Sequence, residues 1–146
     1  MDPFQHFLDA QAPVYETALA ELRSGRKRTH WIWFIFPQLA GLGSSPRAQH
    51  FWLHSLEEAR AYLAHPILGT RLIECTKALL HHDRLTAEQI LGPVDATKLR
   101  SSMTLFAGAS EGEFIFQGVL GSLFDAVPDQ RTLALLQMEP RLPAGL

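Results

Sequence analysis

Cysteine is nearly absent from this chain: Cys75 is the only one in 146 residues. That excludes an intramolecular disulfide and a thiolate metal cage built within the chain, and it fits a reducing, cytoplasmic setting. A surplus of positive charge is missing too. The 13 Lys and Arg against 15 Asp and Glu leave a formal net charge of −2. Proteins that live on phosphate backbones usually carry a clear basic excess, so nucleic acid is not an expected partner. No apolar run approaches the ~20 residues needed to cross a bilayer, and Met1-Asp2-Pro3 opens neither a basic nor an apolar leader, so no membrane partner is expected. There is no repeat, no internal low-complexity linker, and no fingerprint that would call for a cofactor.

The chain does have enough apolar material to fold: 47% of residues are hydrophobic and 19% charged. Its length suits one domain, which buries roughly 70% of the surface exposed by the unfolded chain. We expect a single helical domain over residues 1–138, followed by a Pro-rich tail over 139–146 that is poorly suited to continue a helix.

Helix signals recur along the chain. Asp2 and Pro3 suit a helix start, and Phe4, Phe7 and Leu8 share a face. Pro13 interrupts, and a helix over Val14 to Ser24 should stop at Gly25. Ser45-Pro46, the Ser55 to Glu58 box, His65-Pro66 and the Thr86 to Gln89 box each open another. Gly92-Pro93 should end the last of these, with Asp95 capping a helix to about Gly108. Phe116 to Phe124 and the stretch after Asp129 complete an all-α fold of about seven or eight helices. The triplets Phe34-Ile-Phe36 and Phe114-Ile-Phe116 are the only strand-like runs, and a lone pair would be marginal as a sheet.

Several long motifs carry a resemblance. Gly25-Arg-Lys-Arg-Thr-His-Trp-Ile-Trp-Phe-Ile-Phe-Pro-Gln38, Gly41-Leu-Gly-Ser-Ser45, Glu58-Ala-Arg-Ala-Tyr-Leu-Ala-His-Pro66 and Lys98-Leu-Arg-Ser-Ser-Met-Thr-Leu-Phe106 together resemble the bacterial family of unknown function DUF1810. The resemblance runs from Asp2 to about Leu136. It implies an all-helical fold and no particular activity.

Three segments hold the residues that could bind something. His30 to Phe36 is apolar on every side, which reads as core, but Trp31 and Trp33 carry indole N–H groups that need partners, and His30 and Gln38 place polar tips at either end. Lys27 and its neighbours Arg26 and Arg28 set cations beside those aromatics, as a phosphorylated ligand would require; a solvated loop would look the same. Gly41, Gly43 and Ser45 form either a tight turn with a cap or an anion-accepting loop at a helix start. Lys98, Ser101 and Ser102 share one helix face with Leu105, so the hydroxyls either bond their own helix or look into a cleft. His50 and His54 stand at i, i+4 without a third ligand at a persuasive spacing, and no metal is expected. Cys75 lies on an apolar stripe, as an inert core thiol does.

Two readings follow. In the first, the 26–38, 41–45 and 98–102 segments build one cleft for a small nucleotide-like or phosphorylated ligand, with or without turnover. In the second, Trp31, Trp33 and Trp52 form a patch that binds a protein partner or a second copy of the chain without catalysis. Sequence leaves the oligomeric state open.

Overall fold

The computed structural model describes residues 2–139 and places ten helices among them, with no strands. The first helix starts later than Asp2 and Pro3 suggest: α1 runs over Gln5–Gln11 with Phe4 as its N-cap, and the Asp2 carboxylate accepts from the Phe4 amide at 2.9 Å in the turn ahead of it. Pro13 lies in the break before α2, Tyr15–Ser24, which ends on Gly25 at φ +80°. That left-handed conformation suits glycine, and a Cβ there would sit 2.7 Å from Leu85 Cδ1. The aromatic segment folds as a single turn, α3, Ile32–Ile35, instead of a longer core helix. So short a helix leaves most of its carbonyls without internal partners. Buried Gln11 answers one of them: its amide donates to the Phe34 carbonyl at 2.6 Å and to the Tyr62 hydroxyl at 3.1 Å.

The two start signals at Ser45 and Ser55 open separate helices, α4 over Pro46–His50 and α5 over Leu56–Ala64. Ser45 and Ser55 cap them, accepting from the Ala48 and Glu58 amides. Between the two, Ala40 donates to the Leu53 carbonyl and Leu53 to the Gln38 carbonyl, a lone parallel bridge that ties the chain before α4 to the chain after it. Helix α6, Leu68–Leu80, buries Leu68, Leu72, Cys75 and Leu79 as the periodicity predicts. Thr86 and Gln89 close a complete capping box on α7, Ala87–Leu91.

Helix α8, Pro93–Ala109, corrects the expected start. Gly92 is its N-cap and Pro93 its first residue, so Asp95 lies inside the first turn and is not the cap. Gly92-Pro93 therefore opens a helix as well as closing one, since proline's missing N–H costs nothing at the first position. Helix α9, Ile115–Leu123, and α10, Gln130–Gln137, complete the fold, the latter capped by Asp129. The helix count rises from the expected seven or eight to ten because the single-turn α3 and the break after α4 have little periodicity to read. Both Phe-Ile-Phe triplets belong to helices or helix ends, so the strand doubt falls away.

Helix α8 is the axis, packing against α3, α5, α7, α9 and α10. Ser101 to Phe106 are all buried, so this helix is enclosed on every side and not on one stripe. One core unites every helix but α4, with Leu135 and Leu136 of α10 packed against it, and Trp31, Tyr62, Phe7, Phe36 and Phe106 are its largest fully buried side chains. Among the described residues no helix is long and apolar enough to cross a membrane. Of the expected tail, Glu139 is described and its carboxylate accepts from the Leu56 amide at 3.0 Å; residues 140–146 lie outside the described residues.

Candidate functional site

The segment after α2 is wrapped around one carboxylate. Glu21 is 8% exposed, and its Oε1 accepts from the Arg28 amide at 2.7 Å, the Thr29 amide at 3.0 Å and the Trp31 indole at 3.0 Å. Its Oε2 accepts from the Thr29 hydroxyl at 2.7 Å. Burial pushes this carboxyl up, but the four hydrogen bonds outweigh burial and hold it below its ordinary range. Glu21 thereby fixes the path of residues 28–31 and disposes of the Trp31 N–H. Trp31 is fully buried, so it is a core residue and not the wall of a site.

Lys27 is held from both ends. Its amide donates to the Ile90 carbonyl, and its ammonium, 5.0 Å from the Trp31 ring centre, makes a 2.9 Å ion pair with Asp95. The same carboxylate lies 3.5 Å from the Lys98 ammonium, one turn further along α8. Starting α8 at Pro93 is what turns Asp95 toward both lysines.

Trp33 is where the segments meet. It is half-buried, with Lys98 Nζ 5.1 Å and the Arg47 guanidinium carbon 5.0 Å from its ring centre. Residues from α3, α4 and α8 thus converge on one indole. The Trp33 Nε1 is shut off from solvent and has no hydrogen-bond partner among the described residues; the same holds for Ser102 Oγ, which follows Lys98 by one turn on α8. Buried polar groups are nearly always paired, so the orphaned indole N–H at this cationic junction and the orphaned hydroxyl one turn along α8 from Lys98 call for an explanation. Arg100 Nε is a third such atom, with its guanidinium 4.9 Å over Phe124.

The remaining candidates have local roles. Gly41 and Gly43 adopt φ +100° and +77° in an exposed turn, and Ser45 spends its hydroxyl capping α4. Ser101 bonds back to the Thr97 carbonyl at 3.1 Å. His30 is exposed, and Gln38 is buried beside the bridge to Leu53. Trp52 is half-buried and donates to the Leu42 carbonyl at 2.7 Å. With Trp31 buried, the three indoles do not share an exposed patch. His50 lies against His6, ring centres 5.3 Å apart. Among the described residues no group of three or more His, Cys, Asp or Glu is placed to hold a metal. A cavity of about 270 Å³ is lined by Leu39, Ala40, His54, Leu135, Met138 and Glu139, with Trp33 and every lysine and arginine outside its lining.

The family model described as a protein of unknown function, DUF1810, matches residues 2–136. The chain belongs to the DUF1810 family. A crystal structure of the conserved hypothetical protein Rv1873 from Mycobacterium tuberculosis is 51% identical, matches 94% of this chain and all of that one, and superposes with a TM-score of 0.92. No curated protein matches. The all-helical architecture is therefore shared with this conserved hypothetical protein.

Sequence reasoning missed three residues that build the junction. Asp95 is expected there only as a cap, and neither Arg47 nor Glu21 is singled out. The last had a signal: a buried indole beside a short loop needs an acceptor, and Glu21 is the nearest carboxylate upstream.

Proposed function

We propose that this chain binds a small ligand through an oxyanion at the Trp33 junction formed by Arg47, Lys98 and Ser102. The carrying observation is the buried, unpartnered Trp33 Nε1 on a ring that two cations reach, with a second such atom, Ser102 Oγ, one helical turn along α8 from Lys98. An anion would give both atoms an acceptor and would meet complementary charge. Both atoms are closed to solvent, so a ligand reaches them only after a side chain turns aside. Lys98 and Arg47, the two side chains over the Trp33 ring, are long and rotatable. Nucleobase stacking on Trp31 is excluded by its burial, and on Trp33 a base would compete with two cations. A phosphorylated compound held by its phosphate is the reading that fits.

Differential scanning fluorimetry with inorganic phosphate, pyrophosphate and a panel of phosphorylated metabolites tests it. Ligand at 100 times its dissociation constant stabilises by ~2.7 kcal/mol, several degrees for a domain of this size. The shift should vanish in Lys98→Ala and in Arg47→Ala. No shift across the panel, or shifts unchanged in both variants, would remove the proposal.

A further inference from the structure

Building on the Trp33 reading, we infer that the group held there is a fully ionised phosphate monoester, selected as a dianion over singly charged groups of similar shape. Charge is the first support. Asp95 pairs closely with Lys27 at 2.9 Å and only loosely with Lys98 at 3.5 Å. Among the described residues no carboxylate lies within 4.0 Å of Arg47. Two cations, Lys98 and Arg47, are thus left facing Trp33, which is the charge needed to balance a dianion.

Hydrogen-bond polarity is the second. An indole N–H donates and cannot accept, and lysine and arginine likewise only donate. Ser102 alone could accept. Every group at the junction except that hydroxyl therefore requires an acceptor oxygen. A phosphate monoester near neutral pH supplies three such oxygens and, with its second ionisation near pH 6, almost no P–OH proton. A singly protonated phosphate would aim an O–H into a ring of donors. A carboxylate supplies two oxygens in one plane and a single charge.

Asp95 then acts as a built-in counter-ion. It shares the lysines in the free protein, and as the ligand settles Lys98 turns from Asp95 toward the phosphate while Lys27 keeps the carboxylate. Removing that carboxylate raises the positive charge at the junction by one, so Asp95→Asn should bind a dianion more tightly, not less. A residue that merely braces the fold would not improve affinity when changed.

The test is isothermal titration at pH 8.0 and fixed ionic strength with phenyl phosphate, phenyl sulfate and benzoate. The first two share a shape and three terminal oxygens but carry two charges and one. The inference expects phenyl phosphate to bind about tenfold or more tightly than phenyl sulfate, since charge complementarity in a desolvated site strengthens with each charge. It expects benzoate to be weakest, and Asp95→Asn to tighten phenyl phosphate several-fold, with circular dichroism showing that variant folded. Phenyl sulfate within threefold of phenyl phosphate would overturn the dianion while leaving an oxyanion site standing. Benzoate as the tightest ligand would overturn it in favour of a carboxylate. No heat with any of the three, alongside a null fluorimetry panel, would take down this inference and the proposed function together.

Discussion

Replacing Glu21 by glutamine removes one negative charge and almost no volume, at a group 8% exposed that accepts four hydrogen bonds. Hydrogen bonds to an ionised group contribute about 1.5–3 kcal/mol each, against about 1 for neutral ones. Glutamine keeps one acceptor oxygen, which can serve the three N–H donors on Oε1, but at neutral strength. Its amide N–H₂ meets the Thr29 hydroxyl, which can rotate to accept. The net loss is thus the charge-assisted part of about three bonds, on the order of 2–3 kcal/mol. For a domain of this size that is about 6–12 °C of melting temperature.

The acid limb gives the sharper test. Because the folded carboxyl ionises below its ordinary 4.5, Glu21 contributes stability that is fully present above that value and is lost as pH falls through the folded value. Once Glu21 is protonated, the wild type has lost the same charge that glutamine lacks. Urea denaturation of both proteins from pH 7 to pH 3 should therefore show a wide gap at neutrality that narrows on acidification. A gap under about 0.5 kcal/mol at pH 7, within the scatter of an ordinary surface substitution, would refute the claim that this carboxylate organises the segment. So would a gap that stays constant down to pH 3.

Two further outcomes follow from the packing. A Cβ on Gly69 would lie 2.0 Å from the Leu63 carbonyl oxygen, where α5 hands the chain to α6, so Gly69→Ala should cost about 3 kcal/mol or more, or abolish soluble expression; an unchanged melting temperature would contradict the close approach. Burial pushes the Cys75 thiol up to about 12, so a thiol-specific reagent at pH 8 should label it only at the rate of unfolding, and rapid labelling of the native protein would show that the stripe opens.

Local rules were readable along most of the chain. Ser45, Ser55 and Thr86 all cap as their spacing predicts, because a cap depends on three neighbouring residues and little else. Gly25 stops α2 for the same kind of reason. Asp95 was misread because two legitimate start signals, Gly92-Pro93 and Asp95, lie within four residues, and only tertiary contact with Lys27 decides which use the carboxylate is put to. The site shows the same divide. Composition marks Trp33, Lys98 and Ser102 as chemically capable, but the meeting of α3, α4 and α8 is long-range and leaves no periodic trace. Arg47 lies on a five-residue helix too short to show a face. Trp31 and Trp33, two positions apart, look alike in sequence; one is consumed by Glu21 and the other left unpaired, a difference set by a helix ten residues upstream.

The lone bridge between Leu39 and Leu53 makes a drawstring. It closes the neck of the excursion that holds the glycine turn and α4, and the Trp52 bond to the Leu42 carbonyl knots that loop internally. Arg47 therefore rides, exposed, on a pouch of chain whose ends are pinned together and which Leu42 and Phe51 moor to the core. Lys98 and Trp33, by contrast, are cast into the scaffold. A junction built half from scaffold and half from pouch lets selection retune one charge of the pair while leaving the fold untouched.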